Sequence, residues 1–110
     1  MNLTVYWQAL EAPSRILAVF NHLLDNDSSV IWSGDSWPQA GIYTTDRWLK
    51  NEVVAETSTI IIPEDLSPGD YSLYIGVYDP VTGIRLPATT KQGERLLNDA
   101  FLLLQLKVLP

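Results

Sequence analysis

From Tyr71 to Tyr78 the sequence alternates residue by residue. Tyr71, Leu73, Ile75 and Val77 share one face, and Ser72, Tyr74, Gly76 and Tyr78 share the other. A period of two separates side chains onto opposite faces only in extended backbone. A chain made of such segments pairs them into sheets, and each sheet must bury one face against a second layer.

The same rhythm recurs elsewhere. In Leu3 to Leu10, Val5, Trp7 and Ala9 form an inward row opposite Thr4, Tyr6 and Gln8. In Glu52 to Ile62, Val54, Ile60 and Ile62 share a face with Ser58 between them. In Phe101 to Leu109, Leu102, Leu104, Leu106 and Val108 make one apolar row. Ser29 to Ser33 reads as a short strand, and Ile84 to Leu86 as a return strand after the turn Asp79-Pro80-Val81-Thr82-Gly83. Arg15 to Asp25 is ambiguous, because Ile16, Leu17, Val19, Phe20, Leu23 and Leu24 also fit a helical stripe. Its flanks, Pro13 and Asp25-Asn26-Asp27-Ser28, favour a strand that is apolar on both faces and therefore central. Gly34 to Arg47 reads as a long loop, and Pro87 to Asp99 as a polar, mobile loop with a helical turn at Arg95 to Asn98.

About seven antiparallel strands with Pro and Gly turns predict an all-β, immunoglobulin-like β-sandwich. The immunoglobulin-like element is Leu66-Ser67-Pro68-Gly69-Asp70-Tyr71, where a Tyr opening a strand after a corner turns its hydroxyl back onto upstream backbone. Counting from that corner makes Tyr71 to Asp79 strand F, Phe101 to Leu109 G (prefaced by Ile84 to Leu86), Glu52 to Ile62 E, Arg15 to Asp25 C, Ser29 to Ser33 C′ and Leu3 to Leu10 B. No strand A remains. The expectation is a single domain, residues 1–110, excised from a larger protein without its first strand and left with a bare sheet edge. The alternative count makes Leu3 to Leu10 strand A and places Trp32 on strand C.

A family resemblance rests on several of these segments. They are Leu3-Thr4-Val5-Tyr6-Trp7-Gln8-Ala9, Val19-Phe20-Asn21-His22-Leu23-Leu24-Asp25, Tyr43-Thr44-Thr45-Asp46-Arg47-Trp48, Glu52-Val53-Val54, and Leu66 to Tyr71 running into Gly76 to Leu86. Over about residues 3 to 108 the chain resembles the β-sandwich segment near the C-terminus of some bacterial polytopic membrane proteins, themselves similar to mannosyltransferases of the protein-O-mannosylation type. The resemblance implies an immunoglobulin-like fold and an extracytoplasmic setting, tethered through a parent protein. It transfers no catalytic residue, because the transferase chemistry belongs to the membrane part. Asn21 departs from that pattern, standing where an apolar residue is more usual.

Composition narrows the function. Seven basic against thirteen acidic residues give a net charge of −6, which disfavours nucleic acid and anionic membrane surfaces. With no Cys there are no disulfides and no thiolate metal sites. His22 is the only His. It reads as a structural residue hydrogen-bonded within a central strand rather than as a base or metal ligand, since no Gly-x-Ser-x-Gly nucleophile motif accompanies it. Asp25, Asp27 and Asp79 are weighed as calcium ligands, but Asp25 to Ser28 lacks the Gly and terminal Glu of a calcium-binding loop. Glu56 lies within a strand and reads as solvated or paired with Arg47 or Arg15. The sequons at Asn2 and Asn26 are short matches and are discounted. No cofactor is expected.

Trp32, Trp37, Tyr43 and Trp48 crowd one stretch, and Trp7 and Tyr71 read as core. The four clustered rings either cover the sandwich as a minor core or present a ligand or partner surface. The expectation is a non-catalytic accessory or interaction domain. Its partner would be the parent's membrane domain, another protein, or a second copy joined through the bare edge. The alternative is a carbohydrate-binding module using Trp37, Tyr43 and Trp32.

Overall fold

The computed structural model describes residues 1–110. Six strands form and no α-helix does: β1 (Asn2–Gln8), β2 (Ala18–Leu24), β3 (Val30–Ser36), β4 (Val53–Thr59), β5 (Gly69–Tyr78) and β6 (Phe101–Val108). Of residues 15–25, Ala18–Leu24 form a strand and none form a helix. The expected seventh strand, Ile84 to Leu86, reduces to one bridge between Tyr78 and Arg85. Leu86 still donates to the Val77 carbonyl, but Pro87 has no N–H with which to extend the ladder. No helix is long and apolar enough to cross a membrane.

The strands make two antiparallel sheets, one in the order β3-β2-β5-β6 and the other β1-β4 alone. The layers pack as a β-sandwich around Leu23, Ile60, Tyr71 and Leu73, with Leu3, Leu104, Leu106 and Val108 partly buried against them. Burying each Leu or Ile of this kind contributes roughly 1.5–3 kcal/mol. Tyr71 is an inward residue with a polar tip, and its hydroxyl donates to the Ser67 carbonyl at 2.6 Å, just before the strand begins. The Ser58 hydroxyl of β4 donates to the Ser36 hydroxyl of β3 at 3.2 Å. That contact sets β4 over the β3 side of the larger sheet and turns the free edge of β1 toward the β6 side.

β2 is central between β3 and β5 and is buried on both faces. Its outward Phe20 pairs across from Gly76. The Phe20 ring fills the space beside Gly76, where an added Cβ would come within 2.1 Å of it, which explains a glycine in mid-strand. Arg85 then stacks over that ring, 4.1 Å from its centroid. The segment after Arg85 is not a loose loop. Ala88 and Ala100 are buried, Leu96 donates to the Ala88 carbonyl, and Leu97–Asp99 form a 3₁₀ turn.

Two rows differ from the sequence expectation. β3 runs on to Ser36 through Gly34. In β6 the register shifts, pairing Leu73 with Leu104 but Tyr74 with Leu102, so Leu103 is an extra, bulged residue. The bulge throws Leu102 out of the row shared by Leu104, Leu106 and Val108, and it is 51% exposed.

Candidate functional site

The four aromatic rings do not form one surface. Thr45, buried in the 3₁₀ turn Thr45–Arg47, accepts from the Leu17 amide at 2.8 Å and donates to the Arg15 carbonyl at 2.7 Å. Pinned there, the chain turns Trp48 inward against Ala9 and Val54, leaving it 7% exposed. The Trp48 indole donates to the Tyr43 carbonyl at 3.1 Å, and the Tyr43 hydroxyl donates to Glu52 at 2.7 Å. That bond raises the Tyr43 phenol above its ordinary range. The Leu49 amide, followed by the same phenol, holds the Glu52 carboxyl below its own. Tyr43 and Trp48 are therefore a minor core, not a binding face.

Trp32 and Trp37 do meet. With Asn21, Ser36 and Ser58 they line a cleft of about 280 Å³ between β3 and the Thr57–Thr59 edge of β4. Trp32 and Gly34 share a face of β3, and the indole occupies the space a Gly34 side chain would take, 2.6 Å from an added Cβ. Trp37 is 41% exposed, held by the buried Pro38 after it. Asn21 is fully buried. Its amide donates to the Gly34 carbonyl at 3.2 Å and more weakly to Ser36, while its Oδ1 has no partner. Sequence reasoning did not place Asn21, Gly34, Ser36 or Ser58 in this cleft. The one available signal was a polar residue interrupting the row of Val19 and Leu23.

Glu56 overturns both readings made from sequence. It points into the sandwich at 2% exposure, and neither carboxyl oxygen has a hydrogen-bond partner. Arg15 instead pairs with Asp79 at 3.0 Å, and Arg47 bonds the Ile42 carbonyl. Burial pushes the Glu56 carboxyl up. The Ser36 hydroxyl and Trp7 indole favour its charged form without sitting in bonding geometry, and the Trp7 N–H is itself buried without an acceptor. Trp7 is half-buried and packs against the Ala9, Trp48 and Val54 cluster.

His22 lies on the outer face of β2, its ring 5.0 Å from that of Phe20. It makes no side-chain hydrogen bond, contrary to expectation: its ring lies against Phe20, and Asp35, the carboxylate near it, is not within bonding geometry. Burial and then the Arg85 charge lower its pKa and favour the neutral ring, against an opposing pull from Asp35. Asp35 accepts from the Tyr78 hydroxyl at 2.6 Å, which pushes that phenol up to about 12. Asp25 is occupied by the Asp27 and Ser29 amides of its own turn. With Asp79 held by Arg15, the carboxylates weighed for calcium do not converge, and no three acidic or His side chains group as a metal site.

The sheet edges differ from one another. β6 carries its bulge and Lys107. β3 carries Asp35 and a register irregularity opposite Leu23 and Leu24. β4 has its Ala55 carbonyl capped by the Gln39 amide. β1 has no charge, no Pro and no bulge along its pairing with β4. No family model, curated protein or solved structure matches this chain.

Proposed function

We propose that this chain is a non-catalytic interaction domain of immunoglobulin-like topology, an accessory part of a larger extracytoplasmic, membrane-anchored protein. The observation that carries the reading is the imbalance of the sandwich: four strands face two, and β1 leaves a full edge of backbone unpaired. Unpaired strand edges take up further strands. The strand order supports the immunoglobulin-like assignment, because β1-β4 corresponds to B-E and β3-β2-β5-β6 to C′-C-F-G, with the Tyr71 hydroxyl bond at the E–F corner. On that count the vacant place beside β1 is that of strand A. The extracytoplasmic, bacterial setting rests on the resemblance to the membrane-protein segment. Hydrogen exchange tests the reading. Amides of β1 that face away from β4 should exchange quickly in the isolated chain and slow in the parent protein. Unchanged exchange at β1 in the parent overturns it.

A second reading, a carbohydrate-binding module, is favoured by the pairing of Trp32 and Trp37 across a cleft floored by amide and hydroxyl groups. Asp35 is the one charged residue lining that cleft, so an anionic ligand is disfavoured. Tyr43 takes no part. Titration with soluble oligosaccharides should give a saturable change in Trp fluorescence that Trp37→Ala abolishes, and a flat response to all of them removes this reading.

A further inference from the structure

The larger sheet has an outer face, turned away from β1 and β4. On it Phe20, His22 and Leu24 of β2 recur every second residue and so stand side by side. Val30 of β3 pairs with Leu24, and Tyr74 of β5 pairs with His22. The segment after β5 walls one end of this floor. Arg85 lies over the Phe20 ring, and the Leu97–Asp99 turn leads into the buried Ala100. Floor and wall bound a mostly apolar cavity of about 350 Å³, within the range of roughly 300–1,000 Å³ typical of small-ligand sites. We infer that this cavity binds an organic monocarboxylate with an apolar body, its carboxylate on Arg85 and its body against Leu24, Val30 and Leu97. The site is separate from the strand edges and from the Trp32–Trp37 cleft.

Arg85 is the one charged residue that lines the cavity. Its guanidinium is set by two contacts with the walls. It lies 4.1 Å from the Phe20 ring centroid, and its Nη1 donates to the Asn98 carbonyl at 2.8 Å. No ion pair includes it: those of the chain take Arg15, Lys50 and Arg95. The rest of the planar fork is free to meet a carboxylate edge-on. Two acids of the chain lie near Arg85, and both are engaged elsewhere. Asp99 is held by Arg95 and by the Ala88 amide, and Asp35 accepts from the Tyr78 hydroxyl beside a neighbouring hollow. An arginine placed in advance, without its counter-charge, is what recognition of a carboxylate requires.

The rest of the lining fixes the class of ligand. Val30 is 53% exposed and Leu97 84%, so the apolar rim offers surface for a hydrocarbon or ring to cover. Ser28, His22 and Tyr74 add neutral donors near the floor. An ammonium would meet the guanidinium and be repelled. A phosphate or other polyanion would find a single cation here, on a chain whose net charge is −6. One carboxylate on an apolar body matches one guanidinium among apolar walls. Those walls also strengthen the ionic hydrogen bond relative to water.

Magnetic resonance titration of the 110-residue chain with phenylbutanoate and with octanoate, up to millimolar concentration, tests the proposal. Each acid should give saturable shifts at His22, Tyr74 and Leu97. The corresponding amides keep the shape without the charge and should bind at least tenfold more weakly. Acetate keeps the charge without the body and should bind at least tenfold more weakly too. A carboxylate bound beside His22 should move the titration of its ring to higher pH, because an anion favours the imidazolium; the amides should not. Arg85→Gln should remove the preference for acid over amide, and Arg85→Lys, with the charge but not the fork, should keep part of it. Circular dichroism and the Phe20 ring resonances report whether each variant is folded. The comparison of acid with amide uses the wild-type chain and decides the matter even where a variant unfolds. Equal affinity for acid and amide overturns the proposal. So does the absence of saturable shifts with both acids, and so do shifts confined to the Trp32–Trp37 cleft.

Discussion

Replacing Glu56 with Gln should make the protein more stable, and only at the pH where Glu56 would be charged. The side chain sits at 2% exposure between the sheets, opposite Val5 of β1, with both oxygens unpartnered. Burial raises its pKa above the ordinary value of 4.5. The folded state therefore holds the proton more tightly than the unfolded chain does. Stability falls as pH rises from the unfolded pKa through the folded one, and the whole penalty is present above the latter. A buried polar group without a partner costs about 1–3 kcal/mol, and ionisation adds to that cost. Gln keeps the shape and the neutral polarity but cannot ionise. The variant should match wild type near pH 4 and exceed it by about 1–2 kcal/mol at pH 8. With a urea m-value of about 1 kcal/mol/M, the midpoint should rise by about 1–2 M. Urea titrations of both proteins across pH 4 to 8 measure the difference directly, and carboxyls common to the two cancel from it. A variant less stable at pH 8, or one whose advantage is the same at every pH, would refute the reasoning.

Three other outcomes follow from particular contacts. Tyr71→Phe should lower stability by about 1 kcal/mol, because one hydrogen bond is lost while the freed Ser67 carbonyl lies at an exposed residue and can find water; no change in the urea midpoint would show that the corner contributes nothing. Gly76→Ala forces the buried Phe20 ring to move and should cost about 1–3 kcal/mol, with loss of the Arg85 stacking visible as shifted Phe20 ring resonances; an unperturbed ring would contradict the packing. Asp99 accepts two bonds from Arg95 at 2.8 Å and one from the Ala88 amide at 3.1 Å, led by Arg95 in holding its carboxyl at about 2. Its contribution is present above the ordinary carboxyl pKa and lost as pH falls through about 2. The Ala88 amide resonance should accordingly titrate near 2, and a midpoint near 4 would show the clamp is open.

The strands whose two faces differ were legible. β5 alternates without interruption, β1 nearly so, and the apolar runs on both faces of β2 marked it as central. The misreadings arise where a side chain's place depends on a distant partner. Gly34 looks like the end of β3 because nothing in its neighbourhood says that the Trp32 indole will cover it. Leu102 fits the β6 row by spacing, but the bulge at Leu103 moves it to the other face, and a bulge has no spacing signal. Glu56 reads as a surface acid on composition alone, although Val54 and Ile60 in the same inward row point the other way. The cluster of rings divided because Thr45 is anchored to residues 15 and 17, a contact across the chain that local pattern does not contain. The cleft itself was half visible: Trp32 and Trp37 were candidates, but its polar floor was not.

The pairing of β1 with β4 also bears on how the chain acquires its structure. Asn2 meets Thr59, and no nearer strand can satisfy β1. During synthesis the uncharged β1 leaves the ribosome before β4 and stays without its neighbour while residues 9–52 are made. Closing so long a loop is slow. Meanwhile the nascent strand is available to any other extended segment, including the same stretch on an adjacent ribosome.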